Sequence, residues 1–385
     1  MSLEDHRPTT RRAFLTSAVT GAITGTAGCH VSMPTLQLGD PDPPPFGPVE
    51  HGWRMAGRDA ANTAHNPGAD GPRSEPESIW EFDVRGRGNP RAVAAGRTLA
   101  IAANETLYVY DLAAGELAWT KSVGTGLGQP ALGDGRLYVR TADQELSCLD
   151  VETGESVWSA TTEGWVRVPR VNDRLVLVND QERIMYAFDA EDGSEKWRYT
   201  EERLLRGHSH PVTEDGLYLG TGNELVVLDV DTGTERTRLN GVEGRPTLVD
   251  ETIYVGGNEM AAHRLDGKTL WNTEADWVAG GFYTPTILNE RAVATISGGN
   301  IGMLSVESGE LLWRDEDRSW DGRSITDGSM VYVASGNRAR RVYALDPLTE
   351  TVEWTKRAPE VPANLRVIDD MLLVGIDTGK LLALA

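Results

Sequence analysis

Lysine is nearly missing from this sequence: Lys121, Lys196, Lys268, Lys356 and Lys380 stand against 32 arginines, and acids outnumber bases 58 to 37, for a formal charge of -21. Such a balance excludes whole-surface binding to nucleic acid, because like charges repel. It suits a protein kept soluble in concentrated salt, where the Debye length falls to roughly 3 Å at 1 M, so a halophilic setting is expected. Cysteine is as scarce. Cys29 and Cys148 are too few for a disulfide framework, and neither a C-x-x-C-H haem site nor a C-x-x-C zinc knuckle occurs. Past residue 29 there is no helical period, and no run is apolar enough to span a bilayer. A G-x-S-x-G nucleophile elbow is missing, and Gly124-Thr-Gly-Leu-Gly128 opens no helix that would cradle phosphate.

What is present begins with an address. Thr10-Arg11-Arg12-Ala13-Phe14-Leu15, followed by a short apolar stretch, resembles a twin-arginine export signal. Ala27-Gly28-Cys29 resembles a lipobox whose Cys29 would become the lipidated N-terminus, with Thr26 where leucine or valine is usual. Residues 30 to 50 carry six prolines, which fix φ and remove donors, so the segment reads as a stiff spacer. The expected organisation is a signal peptide over 1–28, a linker over 29–50, a pre-propeller segment over 51–72 and one repeat domain over 73–385. The expected place is the outer face of the cytoplasmic membrane, as a lipid-anchored monomer.

The repeat has two independent markers. Trp80, Trp119, Trp158, Trp197, Trp271, Trp313 and Trp354 recur at intervals of about 39 residues, with Thr237 standing in the one gap. An Asn or Asp closes a short apolar strand at Asn104, Asp143, Asp180, Asn223, Asn258, Asn300, Asn337 and Asp377 with the same period. Between these markers run β-branched and aromatic segments such as Leu217-Tyr-Leu-Gly-Thr-Gly-Asn223 and Val331-Tyr-Val-Ala-Ser-Gly-Asn337, bounded by turn residues. In the phrase Asp150-Val-Glu-Thr-Gly154-Glu-Ser-Val-Trp158, repeated at Asp111/Gly115/Trp119 and Asp189/Gly193/Trp197, glycine supplies the left-handed turn. A four-stranded unit cannot bury both faces alone, so the units are expected to stack around an axis with the tryptophans sealing the joints. The fold read from this is an all-β, eight-bladed β-propeller of four-stranded antiparallel blades. Its last blade is completed by the N-terminal strand around Trp80.

Those phrases resemble the tryptophan-docking motif of PQQ-type, quinoprotein-like propellers and of BamB-type lipoproteins, from about residue 73 to 385. Trp53-Arg-Met-Ala-Gly-Arg-Asp59 with Asn62-Thr63 is similar to the segment that precedes such propellers. Departures are Thr237 for a tryptophan, Ser305 for an aspartate, Glu350 for a glycine and the shortened turn Asp266-Gly-Lys-Thr-Leu-Trp271. The resemblance implies a binding scaffold or a quinone-dependent oxidoreductase. The dehydrogenases carry adjacent cysteines and a calcium set that this chain does not match, so no catalytic residue, cofactor or metal is assigned. Asp229-Val-Asp-Thr-Gly233 reads as a repeat turn rather than a calcium loop, and His208-Ser-His210 as loop polarity rather than metal ligands. A ligand-sensing module is the third reading.

Proline-marked segments such as Gly128-Gln129-Pro130 and Arg245-Pro246 begin the strands nearest the axis. Arg87, Arg167, Arg206, Arg245, Arg323 and Arg366 lie in or beside them, against the plainer reading that each pairs with a local acid. The candidate site is therefore a channel mouth formed by Arg167, Arg245 and Arg323 with His208 and His210 on its rim. It would take a protein segment or anionic glycan, guanidinium being suited to paired hydrogen bonds with carboxylates.

Overall fold

The structure, a computed structural model, describes residues 41–385 apart from 85–87, 125–126, 142–143, 173, 206–209, 215, 222, 258, 274–283, 289–290, 296–298, 321–323 and 336–338. Cys29 and the export motif lie outside the described residues, as do His208, Arg323, Arg87 and Arg206. Among the described residues the strands form eight antiparallel sheets, taken here in chain order. The second is typical. Ala131–Gly133 is innermost, Arg136–Arg140 and Glu145–Asp150 are central, and Ser156–Thr161, carrying Trp158, is outermost. The central strands are buried on both faces, as in Leu175–Asn179 of the third sheet, because another sheet packs on each side. Outer strands alternate instead: in Glu195–Thr200 only Trp197 is buried.

The chain is thus an all-β propeller of four-stranded antiparallel blades. Among the described residues seven sheets have four strands or more, and the fourth has three, Gly216–Gly220, Glu224–Asp229 and Glu235–Asn240. Among the described residues a single bridge between Val212 and Leu217, beside Pro211, stands where its inner strand would be. The count of complete four-stranded sheets therefore differs from the expected eight. The eighth sheet joins Pro362–Ile368, Met371–Ile376 and Lys380–Leu384 to Ser78–Asp83, paired from Ser78 with Leu384 to Asp83 with Lys380.

The joints between sheets explain the tryptophans. The ring of Trp158 lies flat on Gly193 of the next sheet, so closely that a Cβ there would sit 2.5 Å from a ring carbon. Trp119 on Gly154, Trp197 on Gly233 and Trp271 on Gly309 repeat the contact at 2.7, 2.5 and 2.5 Å. Each indole N–H donates to a carbonyl of the same turn: Val151 at 2.9 Å, Ala190 at 3.1 Å, Val230 at 3.0 Å and Val306 at 2.7 Å. Glycine is therefore needed twice, for a φ near +70° and for the ring above it.

Where the phrase is broken, other residues serve. Leu239 packs on Gly267 where Thr237 replaced tryptophan. Trp354 donates to the Pro72 carbonyl at 2.7 Å, and Trp80 donates to that of Asp42 at 3.0 Å while Phe46 meets its ring edge-on. Glu350 is not so well replaced. It holds a φ of +61° and lines one cavity with Trp313. Glu350→Gly should relieve a left-handed penalty of about 1 kcal/mol and raise the melting temperature. An unchanged or lower melting temperature would refute this account of the joint.

Residues 49–72 close one end of the axis. Val49–Trp53 adds an extra strand inside the first sheet, pairing Val49 with Gly96 and Trp53 with Ala94. The chain then crosses the ends of the other inner strands, accepting at Arg54 from Leu132, at Ala60 from Val212, at Ala61 from Leu248 and at Ala64 from Thr326. Asp70 donates to Asp369 of the eighth sheet at 2.7 Å. Arg170 of the third sheet donates to Asn62 at 2.9 Å and to the Asp59 carbonyl. Every sheet but the sixth is thus tied to this segment among the described residues. Asn66 is fully buried and bonds the His51 and Val367 carbonyls at 3.0 and 2.9 Å, which accounts for its amide at that position.

Candidate anion-binding mouth

The tied segment meets the inner strands at their hairpin ends, so the other mouth of the axis is formed where those strands begin. Its floor is Trp53, fully buried, with the Arg366 guanidinium 5.4 Å over the ring. Arg366 donates to the Leu365 carbonyl at 2.6 Å and to Gln129 Oε1 at 3.2 Å, and both side chains are buried.

Three half-buried arginines stand nearer the rim: Arg91 opening the first sheet's inner strand, Arg140 ending Arg136–Arg140, and Arg167 in the connection to the third sheet. Gly128 allows two of them close together, a Cβ there lying 3.1 Å from the Arg140 Cβ and 3.6 Å from the Arg167 carbonyl. Arg140 donates to the Val166 carbonyl at 2.9 Å. Burial holds the pKa of Arg91 below its usual value. Burial, then the charges of Arg91 and Arg167, do the same to Arg140. Arg140 thus feels the charges of both neighbouring arginines as well as its burial. Arg167 Nε is buried without a hydrogen-bond partner among the described residues. Beside Arg140, 5.9 Å from its guanidinium, the Trp165 ring is 49% exposed.

Arginines on the blade edges behave differently. Arg136 pairs with Asp150 at 2.9 Å, Arg198 with Glu195 at 2.7 Å, and Arg236 with Asp229 at 2.6 Å, pulling the Asp229 carboxyl down to about 2. Pairing with local acids, the plainer reading, describes these residues well. Among the described residues it does not describe Arg91 or Arg167.

Of the residues singled out from sequence, Arg167 stands in the cluster and Arg366 beneath it. Arg245 begins the inner strand of the fifth sheet, half-buried. His210 is 2% exposed and so does not stand on the rim as expected; it directly precedes the Val212 bridge, where the chain already runs inside the fourth sheet's packing. His208 and Arg323 lie outside the described residues. Sequence reasoning named Gln129 within its entrance but missed Arg91, Arg140 and Trp165. Two of these left a signal: Arg91 follows the entrance Asn89-Pro90, and Trp165 is a tryptophan off the repeat lattice.

Among the described residues no group of three His, Cys, Asp or Glu side chains is arranged to hold a metal ion. The family model described as outer membrane protein assembly factor BamB matches residues 74–147, 103–259, 237–326 and 264–385. No curated protein matches the chain. Among solved structures, BamB from Moraxella catarrhalis is 17% identical with a TM-score of 0.68, covering 80% of this chain and 99% of that one. The quinohemoprotein alcohol dehydrogenase from Comamonas testosteroni is 14% identical with a TM-score of 0.69, covering 87% and 80%. The computationally designed Ika8 protein is 13% identical with a TM-score of 0.65, covering 78% and 97%. At such identities the likeness is one of fold. The family model, spanning residues 74 to 385, shows more: this chain belongs to the BamB family of PQQ-type β-propeller repeat proteins.

Proposed function

We propose that this protein is an exported, membrane-anchored propeller scaffold whose open axial mouth captures an anionic partner, either a protein segment or an anionic polymer. In this reading residues 1–28 are the twin-arginine signal, Cys29 is the lipidated anchor and the proline-rich stretch holds the body off the membrane. The three-stranded sheet counts as an eighth blade, and Ser78–Asp83 closes the ring. The family's description as an outer membrane protein assembly factor supports a protein-binding role in the broad sense.

The observation that carries the reading is the cluster of Arg91, Arg140 and Arg167. In a chain of formal charge -21, three neighbouring half-buried cations, one of them with a buried Nε that has no hydrogen-bond partner among the described residues, cost stability. Sites that keep such a cost are commonly functional. With residues 49–72 closing the other end, the axis offers one entrance. The test is titration calorimetry in molar salt with oligogalacturonate and oligoglutamate as probes. Replacing Arg91, Arg140 and Arg167 together by glutamine should weaken binding more than tenfold, while Arg97→Gln with Arg136→Gln, on the opposite hairpin turns, should not. Equal binding by the mouth triple variant, or no binding of either probe by the parent protein, would refute the proposal.

A further inference from the structure

Several joints between sheets are sealed twice. Besides the indole bond, the side chain two residues past the tryptophan position reaches the turn of the next sheet: Lys121 Nζ donates to the Gly154 carbonyl at 2.9 Å, the Thr273 hydroxyl donates to that of Gly309, and Leu239 packs on Gly267. Lys356 is the counterpart beside Trp354, and it faces a sheet built differently. Lys380–Leu384 and Ser78–Asp83 are not consecutive strands, so no hairpin turn joins them. Glu77 and Ala385 exchange backbone hydrogen bonds there instead, at 2.9 and 3.1 Å. Pro72 supplies a carbonyl to Trp354, but the ion pair that Lys356 makes is with Glu77 at 3.9 Å, beyond hydrogen-bonding reach, and the Glu77 side chain is 90% exposed.

The seam left by this closure is a cleft of about 490 Å³ between the seventh and eighth sheets. Small-molecule sites typically span roughly 300–1,000 Å³. Its floor is Val342 of the seventh sheet with Val374, Leu382 and Leu384 of the eighth, four aliphatic side chains that carry no polar atom. Half-buried Lys356 and exposed Arg357 line it too. Glu81, the carboxylate on its wall, is held by Lys380, which also pairs with Asp83 at 3.2 Å. Cavities at two other joints carry two carboxylates each, Asp111 with Glu152 and Asp315 with Glu350. In a chain with five lysines and a formal charge of -21, a cleft lined by more cations than acids runs against the overall balance.

We propose that this seam binds an anionic amphiphile with a single aliphatic chain, the chain lying on the four aliphatic side chains and the head group meeting Lys356 and Arg357. The site is separate from the axial mouth and independent of what that mouth binds. A peptide suits the floor poorly, because its amides would be buried there without partners. Carboxylate and phosphate heads both accept charge-assisted hydrogen bonds from an ammonium and a guanidinium. A cationic amphiphile would find the same floor but be repelled at the rim.

The full chain is titrated in molar salt, below micelle-forming concentrations, with octanoate, decanoate, decyl phosphate and decyltrimethylammonium. Decanoate and decyl phosphate should both bind, the tighter of the two identifying the head group. Decanoate should surpass octanoate roughly tenfold, as two methylenes leaving water imply, and decyltrimethylammonium should bind at least tenfold more weakly. Lys356→Gln with Arg357→Gln should weaken decanoate at least tenfold, and Lys356→Arg should keep it. Ser78→Trp, at an exposed position lining the cleft, should block it. All three variants should melt as the parent does. Arg91→Gln with Arg167→Gln, at the axial mouth, should bind decanoate as the parent does. Equal binding of the cationic amphiphile, decanoate binding that ignores Lys356, Arg357 and Ser78, or its loss in the mouth variant would each overturn the proposal, as would the absence of binding by either anion.

Discussion

Truncation should divide this molecule sharply: deleting residues through Arg85 leaves no cooperatively folded propeller, whereas deleting through Pro48 lowers the melting temperature by only a few degrees. The shorter deletion removes the Phe46 ring and the Asp42 carbonyl from around Trp80, both near the surface. The longer one removes the outer strand of the eighth sheet and with it Trp80 and Phe82, both buried. Losing two such rings costs about 3–5 kcal/mol each, against a total stability of roughly 5–15 kcal/mol for a typical domain. It also bares the edge of Lys380–Leu384, an apolar strand that would then pair with other chains. A third deletion, through Pro72, keeps that strand but removes the axial segment, leaving Arg170 buried without Asn62 and Arg366 without Trp53. It should fall between the others and lose most of its stability, because uncompensated buried charge is expensive. Thermal melts with limited proteolysis read all three. Equal melting temperatures for the Pro48 and Arg85 deletions would sink both the closure by Ser78–Asp83 and its energetic account.

The propeller was legible because its markers are local and periodic. A tryptophan four residues past a turn glycine, and an Asn or Asp closing each second strand, report on contacts that recur wherever the phrase is intact. The axial segment was legible only as a familiar preface to the repeat. Its bonds run from Asn62 and Asn66 to residues more than 180 and 300 positions away, and no spacing in a single sequence encodes such partners. The mouth was half legible for a related reason. Proline-marked entrances pointed to Arg167, but Arg140 ends a strand of the preceding sheet and meets Arg167 only through the turn of the propeller. Nothing in the sequence foretold that the fourth sheet shows only three strands among the described residues, since His210-Pro211 reads like its counterparts elsewhere.

The second large effect concerns one joint and tests why its glycine is there. Gly193→Ala should cost about 3 kcal/mol, combining roughly 1–2 kcal/mol for an L-residue at φ +74° with overpacking against Trp158. Gly115→Ala is the control: at φ +69° it has nothing within 4 Å, so only the backbone penalty of about 1 kcal/mol applies. Trp158→Ala should cost about 3–5 kcal/mol, since its ring is wedged between Tyr138 at 5.9 Å and Phe188 at 6.5 Å as well as over the glycine. In the double variant the new methyl group has no ring to strike. The alanine should then cost no more than it does at Gly115, giving a coupling of about 2 kcal/mol between the two positions. Chemical denaturation of the four proteins, with Gly115→Ala alongside, supplies every term. If the alanines at 193 and 115 cost the same, or the two substitutions in the joint simply add, the turn glycine serves the backbone alone and the ring contact has no energetic weight.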